Sequence, residues 1–290
     1  MKDFSLKNKP IQQPVNLTVL CENCVSGSMG LIGEHGWAIG IESENGKILF
    51  DTGQGQGIVN NSDLLGFDLT KVDKIVLSHG HYDHCSGLAA VLEQCPSCRV
   101  LTHPQLFGRR VHQGGDEIRE IGVVSARQTL ESMGATFSFN REFSGVGDGI
   151  YLTGEVPRVT DFEQPDQHLM RDDGSGSLTV DHILDDQSLV VDHERGLVVV
   201  LGCAHAGMIN ILNHIARNLP GRPFHTVIGG THLGFFDDER FSATVEALQN
   251  FNITTLAAAH CTGLERGAEL ARIFGGRFQF APVGTRLQIG

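Results

Sequence analysis

The chain has 290 residues and a mass of 31.4 kDa, enough to bury a full core as one large domain or two small ones. Its net charge of −12 argues against a nucleic-acid-binding surface, because binding a phosphate backbone needs an excess of Lys and Arg, whereas a small anion needs only one or two cations. No apolar run reaches the length of a bilayer span, so no membrane partner is expected.

In chain order, residues 1–15 form a short polar arm without the apolar stretch of a secretory leader. A cytoplasmic location is the expectation, and docking on a partner subunit of a homodimer is one use for such an arm. Residues 16–290 read as one domain. Val15–Leu20 is a strand, and Trp37–Glu42 with Lys47–Phe50 form a hairpin that turns at Asn45-Gly46. Leu64 and Leu65 mark a helix, Lys71-Val72 a link, and Ile75–Leu77 the next strand. Ser86–Glu93 reads as a helix and Arg99–Thr102 as a strand. A second half begins near Tyr151, with the strands Asp186–Val191 and Gly196–Leu201 paired as a hairpin. Met208, Ile211, Leu212 and Ile215 recur at helical spacing within Met208–Asn218. Thr226–Ile228, Ser242–Asn250, Thr254–Ala258 and Gly267–Phe274 then alternate strand and helix. The polar segment Gln167–Ser177 is the most loop-like and reads as a lid.

Seven cysteines, an odd number, fit reduced thiols better than a complete disulfide framework. Cys21-x-x-Cys24 and Cys95-x-x-Cys98 are too far apart for a compact zinc ribbon, and unpaired thiols are expected there. The Gly-rich run Gly53–Gly57 lacks the spacing of a nucleotide-binding loop.

The densest chemical signal is Ser78-His79-Gly80-His81-Tyr82-Asp83-His84, directly after an apolar strand. On extended backbone, residues i and i+2 project the same way, so His79 and His81 can grip one metal ion. The chain then turns, and Asp83 and His84 at the mouth of the helix can hold a second ion. Nitrogen and oxygen ligands suit zinc, manganese or iron, and an ion pair suits hydrolysis.

This HxHxDH run, with Gly46–Gly53 ending in Asp51-Thr52-Gly53, resembles the signature of the metallo-β-lactamase superfamily. Glu34-His35-Gly36, Gly154–Arg158, Gly202-Cys203-Ala204-His205-Ala206-Gly207, Gly229–Leu233 and His260-Cys261-Thr262-Gly263 resemble one branch of it. That branch is the 7,8-dihydropterin-6-yl-methyl-4-(β-D-ribofuranosyl)aminobenzene 5′-phosphate synthase-like metal-dependent hydrolases. The resemblance implies an α/β fold, a four-layer αβ/βα sandwich of two mixed β-sheets flanked by helices. It implies two divalent metal ions, zinc first and manganese or iron as alternatives. His79, His81 and His205 would hold one; Asp83, His84 and His260 would hold the other. Cys203 stands where a bridging aspartate is common in the superfamily, which makes it the alternative ligand to His205.

Asp51 either orients a ligand histidine by accepting its distal N–H or caps its own turn. His232 reads as a substrate-binding residue, with a hydrogen-bonded core histidine as the competing role. His103 carries a weaker signal of the same kind. Arg109 and Arg110 could hold a phosphate, although adjacent arginines are more often solvated surface. The implied function is a metal-dependent hydrolase acting through metal-bound hydroxide, with Asp83 orienting the water, on a small anionic substrate of phosphorylated or pterin type. An oxygen-dependent enzyme with one or two irons and a non-catalytic metal-containing ligand sensor are the alternatives.

Overall fold

The computed structural model describes residues 9–27, 30–172 and 174–290. The first half runs β1 (Val15–Cys21), β2 (Ala38–Ser43), β3 (Gly46–Phe50), α1 (Ile58–Leu65), β4 (Lys74–Val76), α2 (Tyr82–Cys85), α3 (Leu88–Gln94), β5 (Arg99–Thr102), β6 (Arg110–Gly114), β7 (Glu117–Glu120), α4 (Arg127–Ser132) and β8 (Thr136–Phe139). The second half runs β9 (Ser144–Gly147), β10 (Ile150–Leu152), β11 (Leu169–Asp172), β12 (Leu178–Val180), β13 (Leu189–His193), β14 (Gly196–Leu201), α5 (Met208–Asn218), β15 (Phe224–Gly230), α6 (Asp238–Gln249), β16 (Thr255–Ala259), α7 (Leu264–Phe274), β17 (Phe278–Phe280) and β18 (Arg286–Ile289).

One seven-stranded sheet has the order β18-β1-β2-β3-β4-β5-β8, and the other β17-β16-β15-β14-β13-β10-β9. Both are mixed: β3, β4, β5 and β8 are parallel in the first, β14 to β17 in the second. Side-chain alternation in β14 shows why the layers stack. Val198 and Val200 point between the sheets with Val15, Leu17, Ile39 and Ile228, while Leu197, Val199 and Leu201 point outward onto α5. Helix α5 answers with Met208, Ile211, Leu212 and Ile215 on one face, all buried. On the far side, Ile58, Leu88, Val91 and Leu92 of α1 and α3 cover Leu49 and Ile75 of the first sheet. Each such fully buried side chain contributes about 1.5–3 kcal/mol. The result is the αβ/βα sandwich.

The chain departs from the sequence reading in several places. The helix expected over 86–93 starts only at Leu88, as α3, with Ser86 and Gly87 separating it from the single turn of α2 that ends at Cys85. The second sheet begins at Ser144, ahead of Tyr151. β13 starts only at Leu189, because the preceding backbone bonds elsewhere: the Asp186 N–H donates to the Ile183 carbonyl (3.0 Å) and the Gln187 N–H to the Ser78 carbonyl (3.2 Å). The segment expected as a lid is a hairpin instead. Its strand β11 joins a third sheet of order β12-β11-β6-β7, and its tip is tied by the Gly174 and Gly176 N–H groups to Asp172 Oδ1 (2.8 and 3.1 Å).

Of the N-terminal arm, residues 1–8 lie outside the described residues. Ile11 packs on its own chain, buried and bridged to His193. The Cys95–Cys98 pair is a disulfide, against the expectation of free thiols. The intervening turn places Ser97 at φ 75° and brings the two Cα atoms to 6.0 Å, within reach of a bridge. Cys21 and Cys24 are free, and Cys21 Sγ donates to Glu34 Oε1 (3.1 Å). Among the described residues no helix is long and apolar enough to cross a membrane.

Candidate metal centre

β4 lies between parallel β3 and β5, so the chain leaving it emerges at the shared C-terminal edge of the sheet. Extended backbone carries His79 and His81 to the same side, with Nε2 of His79 3.0 Å from Nδ1 of His81. His81 is the last extended residue, and the single turn of α2 then presents Asp83 and His84. Two acidic side chains and an arginine fix this loop from behind. Asp185 accepts the Gly80 N–H, and buried Arg110 joins Asp181 (2.7 Å) to Asp185 (2.5 Å). Arg110 is therefore neither solvated surface nor an anion binder, because both carboxylates already engage it. Arg109 stays exposed and pairs with Glu120 (2.6 Å).

Asp51, at the end of β3, accepts the Ser78 N–H with Oδ1 (2.7 Å) and faces His84 Nδ1 with Oδ2 (2.7 Å). It thereby turns His84 Nε2 toward the centre.

The second sheet supplies its residues from three strand ends. β14, β15 and β16 are parallel, with Leu201 opposite Gly229 and Gly230 opposite Ala259. The loops after them carry Cys203 and His205, His232, and His260 and Cys261 to one place. The ligand atoms of His79, His81 and His205 lie within 4.8 Å of one another, as do those of His79, His84 and Cys203. His84 Nε2 is 3.0 Å from Cys203 Sγ and 3.3 Å from His260 Nε2, which is itself 3.2 Å from Asp83 Oδ2. Two nitrogens on one tetrahedral zinc are about 3.3 Å apart, so these separations fit shared coordination. Asp51, Ala204, His232 and His260 all turn with φ between 52° and 59°. Left-handed backbone costs a non-glycine residue about 1–3 kcal/mol, and here it recurs at the ends of four strands that meet at one centre.

The electrostatics suit a cation. Burial dominates for His79, His81, His205 and His260 and holds each imidazole neutral, His81 at about 3 and His260 at about 4. Burial opposes charge on Asp83 too, but His84, His260 and His35 keep it ionised. For His84 burial is overcome by Asp51 and Asp83, which lift it to about 9. The Nε2 atoms of His81 and His205 are buried with no hydrogen-bond partner. Apart from His84, which would release its proton to take an ion, neutral imidazoles, an anionic carboxylate and unpartnered ring nitrogens form a donor set that fits divalent metal ions.

Several contributors carry no motif of their own. His35 Nε2 lies 3.1 Å from Asp83 Oδ2, and its ring sits tilted against that of His260, with centroids 4.9 Å apart. Glu22 Oε1 accepts the His260 N–H (2.6 Å), and Asn23 Oδ1 meets His260 Nδ1 (2.9 Å). A lone histidine or glutamate in a loop gives no periodicity or spacing to read. For His35, the resemblance at Glu34-His35-Gly36 was the only signal.

A cavity of about 350 Å³ opens beside the centre, bordered by Arg158, Leu169, His205, His232, Phe236 and Arg240. The His232 ring lies 4.4 Å from His205 and 4.7 Å from Phe235, and burial lowers it to about 4. Arg158 donates to the carbonyls of His205 (2.6 Å) and His182 (2.7 Å), tying the His205 loop to the cavity wall. His103 bonds Glu155 (2.9 Å), and neither borders this cavity. A second cleft of about 310 Å³, with Val25, Leu264 and Phe280 on its wall, meets the centre at His260.

The model of the Metallo-beta-lactamase superfamily matches residues 32–260. The 7,8-dihydropterin-6-methyl-4-(beta-D-ribofuranosyl)-aminobenzene-5'-phosphate synthase of Methanocaldococcus jannaschii is 27% identical over 261 residues, 87% of this chain and 88% of that protein. An uncharacterized protein of the same organism is 29% identical over 262 residues, 88% of this chain and 94% of its own length. The crystal structure of Tm1679, described as a metal-dependent hydrolase of the beta-lactamase superfamily, superposes with a TM-score of 0.83 at 27% identity, covering 95% of this chain and 99% of that one.

Proposed function

Because this chain belongs to the metallo-beta-lactamase superfamily, we propose that it is a metal-dependent hydrolase of a small anionic substrate. The observation that carries the reading is the convergence of His79, His81, Asp83, His84, Cys203, His205 and His260 on one buried centre beside a cavity. His79, His81 and His205 would hold one divalent ion, and Asp83, His84 and His260 a second, with Cys203 between them. Bound there, such ions supply a nucleophilic water at neutral pH and polarise a carbonyl or phosphoryl oxygen.

The protein's own groups do the rest. Asp83, held ionised by its histidine neighbours, accepts a hydrogen bond from the attacking water and orients it. His232 donates to or accepts from the substrate at the cavity wall, and Arg158 and Arg240 supply positive charge there. The printed name of the Methanocaldococcus relative contains a pterin and a 5'-phosphate, which supports a substrate of phosphorylated or pterin type. With this reading go a small-molecule rather than a nucleic-acid partner and a cytoplasmic location, the first supported by the net charge of −12.

Elemental analysis of protein purified without added metal, combined with a panel of phosphodiesters and lactones, tests the proposal. Near two zinc or manganese ions per chain, with turnover abolished by a chelator, is the expected result. One iron per chain with oxygen uptake would move the protein to the redox class. Bound metal with no turnover of any compound would make it a ligand sensor.

A further inference from the structure

Two buried thiols meet at the centre, and the reading above uses only one of them. Cys203 follows β14 by two residues and Cys261 follows β16 by two, so the parallel register sets them on either side of the β15 end. Gly230 makes the room: a Cβ there would lie 2.7 Å from Cys261 Sγ and 3.2 Å from the Cys203 Cα. The ligand atoms of Cys203, His260 and Cys261 lie within 4.8 Å of one another. Sulfurs on one tetrahedral zinc, each bonded at about 2.3 Å, stand about 3.8 Å apart, within that envelope. Cys261 Sγ accepts the backbone N–H of His232 at 3.2 Å, a contact that favours negative charge on sulfur, and as a thiol donates to the Cys203 carbonyl at 3.6 Å, which holds it against the Cys203 loop. The strained backbone at Ala204 and His260 lies next in sequence to each thiol.

Resting on the metal-dependent reading, we propose that Cys203 and Cys261 are a pair of thiolate ligands that join His260 at the second metal position and select a thiophilic ion, zinc over manganese. Each thiol releases its proton as its sulfur takes the ion. Soft sulfur donors disfavour manganese and magnesium, whose partners are oxygen.

The test is a stepwise addition of cobalt(II) to the full-length, chelator-treated protein, read by absorption rather than by turnover. An intense near-ultraviolet sulfur-to-cobalt band is expected, falling to about half in Cys203→Ser and in Cys261→Ser and vanishing in the double variant. Urea midpoints of the metal-free proteins, unchanged by substitution, separate ligand loss from misfolding. A full band in Cys261→Ser would leave Cys203 as the only thiolate and overturn the pair. A band that instead follows Cys24→Ser, the exposed free thiol, would also overturn it. Cobalt bound with no sulfur band would sink the thiolate proposal and leave the hydrolase reading intact, while failure to bind cobalt at all would sink both.

Discussion

The two halves of the molecule bring their residues to the centre by different routes. The first half delivers His79, His81, Asp83 and His84 from one six-residue loop after β4, with Asp51 from the neighbouring strand end. The second half delivers Cys203, His205, His232, His260 and Cys261 from three parallel strands whose ends are neighbours only because β14, β15 and β16 pair in register. A local loop writes its geometry into consecutive residues. A sheet edge writes it into hydrogen-bond register, which a sequence does not display. Both halves nevertheless pin their donors the same way, with a buried carboxylate behind each: Asp51 for His84, and Asp186, which accepts the Ala206 N–H at 2.8 Å, for the His205 loop.

The largest test of the contrast is His79→Ala with His81→Ala. Removing the compact loop's donors should cost about 10³-fold in kcat/KM, roughly 4 kcal/mol of transition-state stabilisation, with metal content falling in parallel. Retained activity would shift the chemistry to the second half alone.

Asp186 is next. Burial raises its carboxyl to about 6, against the Ala206 N–H and Arg158. A carboxyl raised in the fold stabilises it while protonated, and that contribution is lost as pH climbs through about 6. In metal-free protein, Asp186→Asn should therefore gain on wild type by up to about 3 kcal/mol between roughly pH 4 and pH 7, read by urea unfolding. A pH-independent difference would contradict the assignment.

Asp51→Asn should weaken metal binding about 10- to 100-fold while leaving the fold intact, measured by competition with a chromophoric chelator. An equal or larger loss from Asp186→Asn would mean that the second half, not the first, is the better-braced side. The smallest expected effect is that of Arg158→Ala, which frees the His205 carbonyl. It should lower kcat/KM about tenfold, roughly 1.4 kcal/mol, with the metal content of the first position kept.

The same contrast explains what could be read in advance. Strand β4, the hairpin β2–β3, helix α5 and the HxHxDH loop have local signatures, namely apolar runs, an Asn-Gly turn, helical spacing and dense ligand types. The third sheet has none, because β7 is exposed along its whole length and β11 and β12 bury little, so no apolar alternation marks them. Arg110 looked like surface because its partners, Asp181 and Asp185, lie more than 70 residues away. His205 and His260 entered through the order of motifs, and the proximity of His260 to Cys203 emerged only from the sheet. The Cys95–Cys98 bridge depends on the geometry of a two-residue turn, to which cysteine counting is blind.

The grip of Glu22 and Asn23 on His260 has a consequence for how the protein comes to exist. These contacts join positions 238 and 237 residues apart in the chain. During synthesis the loop beyond β1 must wait for the strand that carries its partner, and loop closure over such distances is slow. The HxHxDH loop can be complete long before the last histidine arrives. On the two-ion proposal, filling the position that His260 serves would be a late event in maturation, gated by closure of the chain on its own beginning.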